Sequence, residues 1–325
     1  MTVAEILAEF PKLSALVVGD ICLDRWCTYD PSTSEASRET LIPRIGVVRT
    51  EVTAGAGGTV ANNLVALGLD RVAVLGVAGD DGYGYELARV LDAQRISSEM
   101  LIRTPGIQTF TYTKLINCST NIEDLPRLDF ISTVPMNAAI ERHVLDLLPE
   151  AVGGFDVIFI ADQAETSAGG VVTPSVRDRL AELARTHPGK VFWADSRARM
   201  ELFRHLVIKG NRDEAEAACH RAAQPDLQAL REHCRAKLLI VTEGPEGARV
   251  VEPTGEYFCK TKPIPKPVDI CGAGDAFSAG AAMALAVTSS PVEAVQFGNL
   301  VASITIMKKG TGTASPAEVL EAASR

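Results

Sequence analysis

No Cys-x-x-Cys pair occurs in this chain. Its seven cysteines (22, 27, 118, 219, 234, 259 and 271) are odd in number and scattered. That pattern excludes a zinc ribbon and a disulfide framework, and it reads as reduced thiols in a cytoplasmic protein. None of the five histidines (143, 187, 205, 220 and 233) stands in His-Glu-x-x-His or beside a cysteine cluster. The longest apolar run, 279–287, is too short to cross a bilayer, so no membrane partner is expected. The first ten residues carry Glu5 and Glu9 without a basic start and do not read as a signal peptide. The net charge is −9 and no Lys/Arg stripe is present, which argues against a nucleic-acid partner. An anionic small substrate stays open, because a local site on an acidic protein can be positive. Also absent are a Gly-x-x-x-x-Gly-Lys-Ser/Thr phosphate loop, the protein-kinase signatures and a Gly-x-Ser-x-Gly elbow. No repeat, low-complexity tract or linker divides the 325 residues, so one domain over 1–325 is expected. A chain of that length buries about three quarters of its unfolded surface without staples.

What is present is an alternation. Short β-branched runs at 15–19, 72–77, 156–161, 190–194, 206–208 and 238–241 are continuously apolar, as strands covered on both faces are. Amphipathic stretches at 84–94, 137–148, 174–185 and 226–235 lie between them. This predicts an α/β fold: a doubly wound, mainly parallel sheet with helices on both faces. Ser290-Pro-Val-Glu293 and Ser315-Pro-Ala-Glu318 each place Ser at an N-cap, Pro at the first helical position and Glu three on. The first of these helices should stop near Lys308-Lys-Gly310. Residues 22–53 and 107–133 break the rhythm and alternate polar with apolar, which predicts antiparallel strands with one wet face. Together they would form a small β lid over the C-terminal edge of the sheet, where open α/β sheets bind ligands. Open edges on such strands leave room for a homodimer through the lid.

The strongest motif is Val268-Asp-Ile-Cys-Gly-Ala-Gly-Asp-Ala-Phe277. Gly272, Ala273 and Gly274 expose backbone immediately before Asp275, at the start of a segment of small apolar residues. Unpaired N–H groups and the helix dipole make such a start an anion site. A carboxylate beside it is placed to take a proton from a nucleophile attacking a bound phosphate. The other motifs are weaker singly, and each has a plain structural alternative. Asp20 at a strand end, and Asp24 beyond it, would accept from sugar hydroxyls or simply form a turn. Gly55-Ala-Gly-Gly58-Thr-Val-Ala-Asn62-Asn63 would bring backbone and an Asn to a ligand, or be a tight turn into a helix; its Val60 spoils a dinucleotide fingerprint. Asn211-Arg-Asp-Glu214 would hold hydrated Mg²⁺ beside phosphate oxygens, or be an N-cap with its capping-box acid. Thr242-Glu-Gly244-Pro-Glu-Gly247 would pass a nucleotide, or be a hairpin turn.

Taken in this order the motifs resemble the ribokinase-like (PfkB) carbohydrate kinase family over nearly the whole chain. Within it the chain is most similar to the heptose-7-phosphate kinase branch, through Gly19-Asp-Ile-Cys-Leu-Asp-Arg25, Leu125-Pro-Arg-Leu-Asp129 and Lys309-Gly-Thr-Gly-Thr-Ala-Ser-Pro316. That branch's strand-end Asp-Pro-Lys is Asp195-Ser-Arg197 here, and its paired glutamines are Glu123-Asp124. With nine residues after Pro316, no second nucleotidyltransferase domain is expected. The resemblance implies an ATP-dependent, Mg²⁺-requiring kinase acting on a hydroxyl of a sugar or sugar phosphate. Asp275 would be the base, and Gly272, Ala273 and Gly274 the anion hole. Asn211, Thr242, Gly244, Gly247 and Asn299 would serve the nucleotide and Glu214 the metal. Asp20, Asp24, Gly57, Gly58, Asn62 (or Asn63), Lys114 and Arg127 would serve the acceptor. A monovalent cation near Asp269 is left open. The alternatives are a nucleoside kinase, stacking a base on Phe110, Tyr112 or Phe130, and a non-catalytic sugar-phosphate sensor.

Overall fold

The computed structural model describes residues 1–163, 166 and 168–324. Nine strands form one sheet, in the order Gly255–Lys260, Gly247–Glu252, Leu238–Thr242, Val207–Asn211, Val191–Ser196, Val157–Asp162, Ser14–Gly19, Arg71–Gly79, Ser97–Thr104. The last seven run parallel; Gly247–Glu252 pairs antiparallel with Leu238–Thr242, and Gly255–Lys260 pairs antiparallel with Gly247–Glu252. Every residue of Ser14–Gly19 and Val157–Asp162 is buried, which is why these strands read as unbroken apolar runs. The strands Ser97–Thr104 and Gly255–Lys260, unforeseen in the sequence, occupy the two edges. Their charged, half-exposed side chains hide them from a search for apolar runs.

Each face has its own core. Leu64, Leu87, Phe277, Met283 and Val301 pack on one side, from Gly57–Ala66, Gly82–Ala93, Ala273–Thr288 and Pro291–Thr305. Val144, Leu148, Leu180, Ala218 and Leu230 pack on the other, from Ala138–Gly153, Pro174–Thr186, Arg212–Arg221 and Leu227–Cys234. The doubly wound arrangement follows from this two-sided burial. After Ser14–Gly19 the chain adds strands to one side, then returns to place Val157–Asp162 on the other. The strand order therefore reverses between these two, and a crevice opens at their C-terminal ends.

The predicted caps are present. Ser290 Oγ accepts from Glu293 N at 3.3 Å, and Ser315 and Glu318 form a capping box. Pro291–Thr305 ends just before the expected Lys308-Lys309-Gly310 stop, in a turn tightened by bonds from Met307 N to Ile304 O at 3.2 Å and from Lys308 N to Thr305 O at 3.0 Å. Lys308 Nζ pairs with Glu318 at 2.7 Å, at the start of the next helix.

A second sheet of four strands has the order Val47–Ala56, Ile21–Tyr29, Thr111–Asn117, Leu128–Phe130. It is mixed rather than antiparallel: Ile21–Tyr29 runs parallel to Thr111–Asn117. The two strands enter from separate excursions out of the main sheet, so no hairpin constrains their direction. The alternation in Thr111–Asn117 is real, with Thr111, Thr113, Leu115 and Asn117 buried. The opposite face carries Tyr112 and Lys114 and looks into a cavity. No helix among the described residues is long and apolar enough to cross a membrane.

Candidate active site

The site is built on the start of the helix Ala273–Thr288. Gly272 is its N-cap, with φ of +76°. Glycine adopts this left-handed geometry without strain, and a Cβ here would also press on Thr311 and Thr59 at 3.2 and 3.3 Å. No side chain caps this helix. The first helical bond runs from Ala276 N–H to Gly272 O, 2.9 Å. Ala273 N–H does not join the expected anion hole, because it donates to Ile270 O at 3.2 Å in the turn before the helix. Among the described residues the N–H groups of Gly272, Gly274 and Asp275 have no protein acceptor, so Asp275 contributes backbone as well as side chain to an anion nest. Asp269 fixes the approach to it: its two carboxylate oxygens accept from Cys271 N at 2.9 Å and Gly310 N at 3.0 Å.

Asp275 lines two adjoining cavities, of about 650 and about 170 Å³, and Gly272, Gln163 and Arg197 share that position. Its carboxyl is pushed up to about 7, chiefly by burial, then by Asp195; Lys209 opposes, and Asp24 adds to the rise. Beneath the nest lies Lys209, 5% exposed, its Nζ 2.8 Å from Asp195 Oδ2. Ser278 Oγ donates to the same oxygen at 3.1 Å. Burial alone would lower the Lys209 ammonium; Asp195, with Glu214 and Asp275, outweighs it and holds the pKa above its ordinary value.

The larger cavity takes in Asn211, Glu214, Thr242, Gly244 and Asn299. Asn211 and Glu214 do form the capping box: Asn211 Oδ1 accepts from Glu214 N at 2.9 Å, and Asn211 N donates to Glu214 Oε2 at 2.7 Å. The structural and ligand readings of this pair are therefore compatible, since the capped turn itself faces the cleft. The Asn299 Nδ2 amide is buried with no hydrogen-bond partner, a donor in want of an acceptor.

The smaller cavity takes in Asp24, Lys114 and Arg127. Burial pushes the Asp24 carboxyl up to about 6 against the pull of Lys114 and Arg127. Gly55, on the facing strand, makes room for it: a Cβ there would fall 2.5 Å from the carboxyl. Arg127 forks onto Asp129 at 2.7 and 2.6 Å and lies 5.0 Å over the Tyr112 ring. Lys114 is 3.8 Å from Glu123.

Several expected ligands lie elsewhere. Asp20 is buried, and its two carboxylate oxygens accept from Val171 N and Gln163 N, each at 2.8 Å, so it ties loops together and does not meet the cleft. Gly57 and Gly58 serve packing. Added Cβ atoms would strike Ile21 at 2.7 Å and Ala54 at 2.5 Å, and neither glycine lines either of the two cavities. Neither Asn62 nor Asn63 lines one either; Asn63 is buried and donates to Thr59 O at 2.9 Å. Gly247 is a buried hairpin residue with φ of +128°, where a Cβ would meet Cys259 O at 2.1 Å. Sequence reasoning missed Gln163 and Lys209; it quoted Asp195 and Thr59 within motifs but gave neither a role of its own. Gln163, Asp195 and Lys209 lie towards the C-terminal ends of their strands, and Thr59 sits in the first turn of Gly57–Ala66, beside the nest.

The pfkB family carbohydrate kinase profile matches residues 13–318. A curated relative, bifunctional protein HldE of Pelobacter propionicus, is 29% identical over 331 residues, covering 99% of this chain. The chain spans only 65% of that relative's length. Among solved structures, Thermotoga maritima ribokinase superposes with a TM-score of 0.70 at 18% identity, over 96% of this chain and 100% of that one. Arabidopsis thaliana ribokinase, solved with ribose and ATP, superposes with a TM-score of 0.68 at 16% identity, over 96% and 99% of the two chains. With a ribokinase-like fold, a capless helix start facing a cleft, and a family match over nearly its whole length, this chain belongs to the PfkB family of carbohydrate kinases.

Proposed function

We propose that the protein transfers the γ-phosphoryl of ATP to a hydroxyl of a sugar that already carries a phosphate. The observation that carries this reading is the position of Asp275, at the seam of a large cavity and a small, strongly charged one. Donor and acceptor would meet there. The adenine nucleotide would lie in the larger cavity, along Thr242 and Gly244, with the Asn299 amide as a donor to it. Its terminal phosphate would rest on the N–H groups of Gly272, Gly274 and Asp275.

The acceptor would lie in the smaller cavity, with Asp24 holding a hydroxyl. Asp275 takes the proton of the attacking hydroxyl as its oxygen bonds to the γ-phosphorus. The bond from that phosphorus to the β–γ bridging oxygen breaks, and ADP leaves with the electron pair. A carboxyl that titrates near neutrality is matched to this task. Glu214 and Asn211 fit a hydrated Mg²⁺ from one side. No group of three metal-ligating side chains exists among the described residues, and Mg²⁺ keeps most of its waters. Bound there, the ion would neutralise phosphate charge.

Arg25, Lys114, Arg127 and Arg197 line the smaller cavity against Asp24 and Asp275, an excess of cations that favours an anionic acceptor. The lid ion pairs of Lys114 and Arg127 are partly exposed and cheap to exchange for a phosphate. The same lining disfavours a nucleoside. Tyr112 is covered by Arg127, and Phe130 is packed edge-on against Tyr83 at 5.0 Å, so neither ring is free to stack on a base. Heptose 7-phosphate is the first acceptor to try. The test is ADP release from Mg-ATP against a panel of sugars, sugar phosphates (heptose 7-phosphate included) and nucleosides. Release with sugar phosphates supports the reading. Release with nucleosides alone overturns the acceptor, and no release with any of them overturns the activity.

A further inference from the structure

We infer that Trp26 is the specificity-determining platform of the smaller cavity: its indole takes the C–H face of a closed sugar ring, so that the protein selects cyclic sugar phosphates over open-chain polyol phosphates. The inference rests on the kinase reading above and narrows its acceptor class.

Trp26 lies on the strand Ile21–Tyr29, two residues after Asp24, and side chains two apart on a strand share a face. In the pairing with Thr111–Asn117, Asp24 stands opposite Tyr112 and Trp26 opposite Lys114. The four therefore form one patch on the lid, and all four line the smaller cavity. Asp24 gives this patch a carboxylate and Lys114 a cation. The Tyr112 ring already lies under the Arg127 guanidinium, at 5.0 Å. Trp26 is the aromatic ring of that wall left uncovered.

No structural duty accounts for the indole. It is half-buried, yet it belongs to none of the apolar clusters, and the lid's own cluster, built on Cys27, Tyr29 and Leu115, is on the opposite face. Among the described residues no ring, cation or hydrogen-bond partner engages it. Aromatic rings carry a large apolar surface and dominate the binding energetics of the wall they stand on. A tryptophan packed on no apolar cluster, on the wall of a charged cavity, has its surface to offer to a ligand.

Its setting is nonetheless fixed. Gly310 N donates to Asp269 Oδ2 at 3.0 Å, and a Cβ on Gly310 would lie 3.8 Å from Trp26 Cζ2. The next residue, Thr311, lines the same cavity and backs the helix start, where a Cβ on Gly272 would meet its Cγ2 at 3.2 Å. One turn thus flanks both the indole and the nest, so a ring resting on Trp26 is held at a set position relative to Asp275. A closed sugar ring fits such a wall in three directions. Its C–H face meets the indole, its hydroxyl edge meets Asp24, and its phosphate meets Lys114. An open-chain polyol phosphate carries the same hydroxyls and phosphate but has no rigid face to lay on the ring.

The test measures binding to the full-length protein by calorimetry, without nucleotide. The probes are heptose 7-phosphate and mannose 6-phosphate, each beside the alditol phosphate made from it by borohydride reduction. The variants are Trp26→Phe, which keeps a ring, and Trp26→Leu, which keeps an apolar side chain without one. Trp26→Leu should weaken the cyclic phosphates by roughly 3- to 10-fold and the alditol phosphates by less than about 2-fold, while Trp26→Phe should keep most of the cyclic preference. Mg-ADP affinity should be unchanged in both, which shows that they fold. The chain has two tryptophans, and the other, Trp193, is fully buried. A cyclic sugar phosphate should therefore shift the indole emission of the wild type, and the shift should vanish in Trp26→Phe. Unchanged binding in Trp26→Leu, or equal weakening of cyclic and alditol phosphates, overturns the inference. So does a Trp26→Phe variant that loses as much as Trp26→Leu, or that keeps the emission shift. A wild-type protein that binds no sugar phosphate of the panel sinks the acceptor reading and this inference with it. A wild type that binds them, beside a Trp26→Leu variant of unaltered preference, sinks this inference alone.

Discussion

Replacing Asp275 by Asn should make the protein more stable and nearly inactive at once. In the unfolded chain this carboxyl has an ordinary value of 3.8, and in the folded chain it is pushed up to about 7. Below 3.8 both states hold the proton and the position costs nothing. As pH rises from there towards 7 the unfolded chain releases the proton while the folded chain keeps it, so stability is lost progressively; above about 7 the loss is complete. A difference of about 3 units corresponds to about 4 kcal/mol, and contact of the carboxyl with cleft water reduces it to about 2–4 kcal/mol. For a chain of this length that is roughly 3 to 6 °C in Tm. The assay is a pair of melting curves, wild type against Asp275→Asn, at pH 8 and pH 5. The variant should melt higher at pH 8, with the gap reduced to roughly a third at pH 5. Turnover should fall by roughly 10²- to 10⁴-fold with nucleotide affinity retained. Equal melting points at pH 8 would refute the electrostatic argument, and wild-type turnover would refute the assignment of the base.

The acid limb of kcat/KM should have its midpoint near pH 7, because the proton must leave Asp275 before it can accept another; a limb near pH 4 would mean that a different carboxyl titrates. Lys114→Met and Arg127→Met should each raise KM for a phosphorylated acceptor by roughly 10-fold, with kcat and nucleotide affinity little changed. Asp20→Ala should destabilise the fold by about 2–4 kcal/mol, since a buried N–H on Val171 and a part-buried one on Gln163 lose a charged acceptor. Chemical denaturation reads this directly, and a loss under 1 kcal/mol would place Asp20 outside the fold's essential ties.

The sheet was legible because its strands are buried on both sides, so burial writes itself into the sequence as unbroken runs such as Ala15-Leu-Val-Val18. Edge strands leave no such trace, and Ser97–Thr104 and Gly255–Lys260 were missed for that reason. The helix start at Gly272 was legible because a positive φ, a close approach and an exposed nest all demand small residues in succession, and few other situations do. Lys209 was illegible. A lysine inside an apolar run reads as a snorkelling strand end, and only the fold shows that it is buried beneath a helix that begins 64 positions later, at Ala273. Glycine runs mislead in the other direction. Gly57 and Gly58 look like a ligand-approach loop, yet the atoms their missing side chains make room for are Ile21 Cδ1 and Ala54 Cβ.

Asp20 and Asp24 make the limit sharper, because sequence reasoning assigned both to the acceptor. Four positions apart, they lie in different mechanical parts of the molecule. Asp20 is the single residue between the strand Ser14–Gly19 of the main sheet and the strand Ile21–Tyr29 of the small one. Every polar group there is engaged: its N–H donates to Ala161 O at 2.9 Å, its carbonyl accepts from Gly57 N at 3.0 Å, and its carboxylate accepts from Gln163 and Val171. The amides of Gln163 and Val171 lie off the sheet ladder and need acceptors, and an acid at the joint with two carboxylate oxygens supplies one to each. Asp24 sits past the joint, on a strand already paired on both sides, and its side chain is left to the cavity. The acid at the strand end is spent on the fold because it is at the strand end. The acid four residues on keeps its side chain for the cavity because the fold no longer needs it.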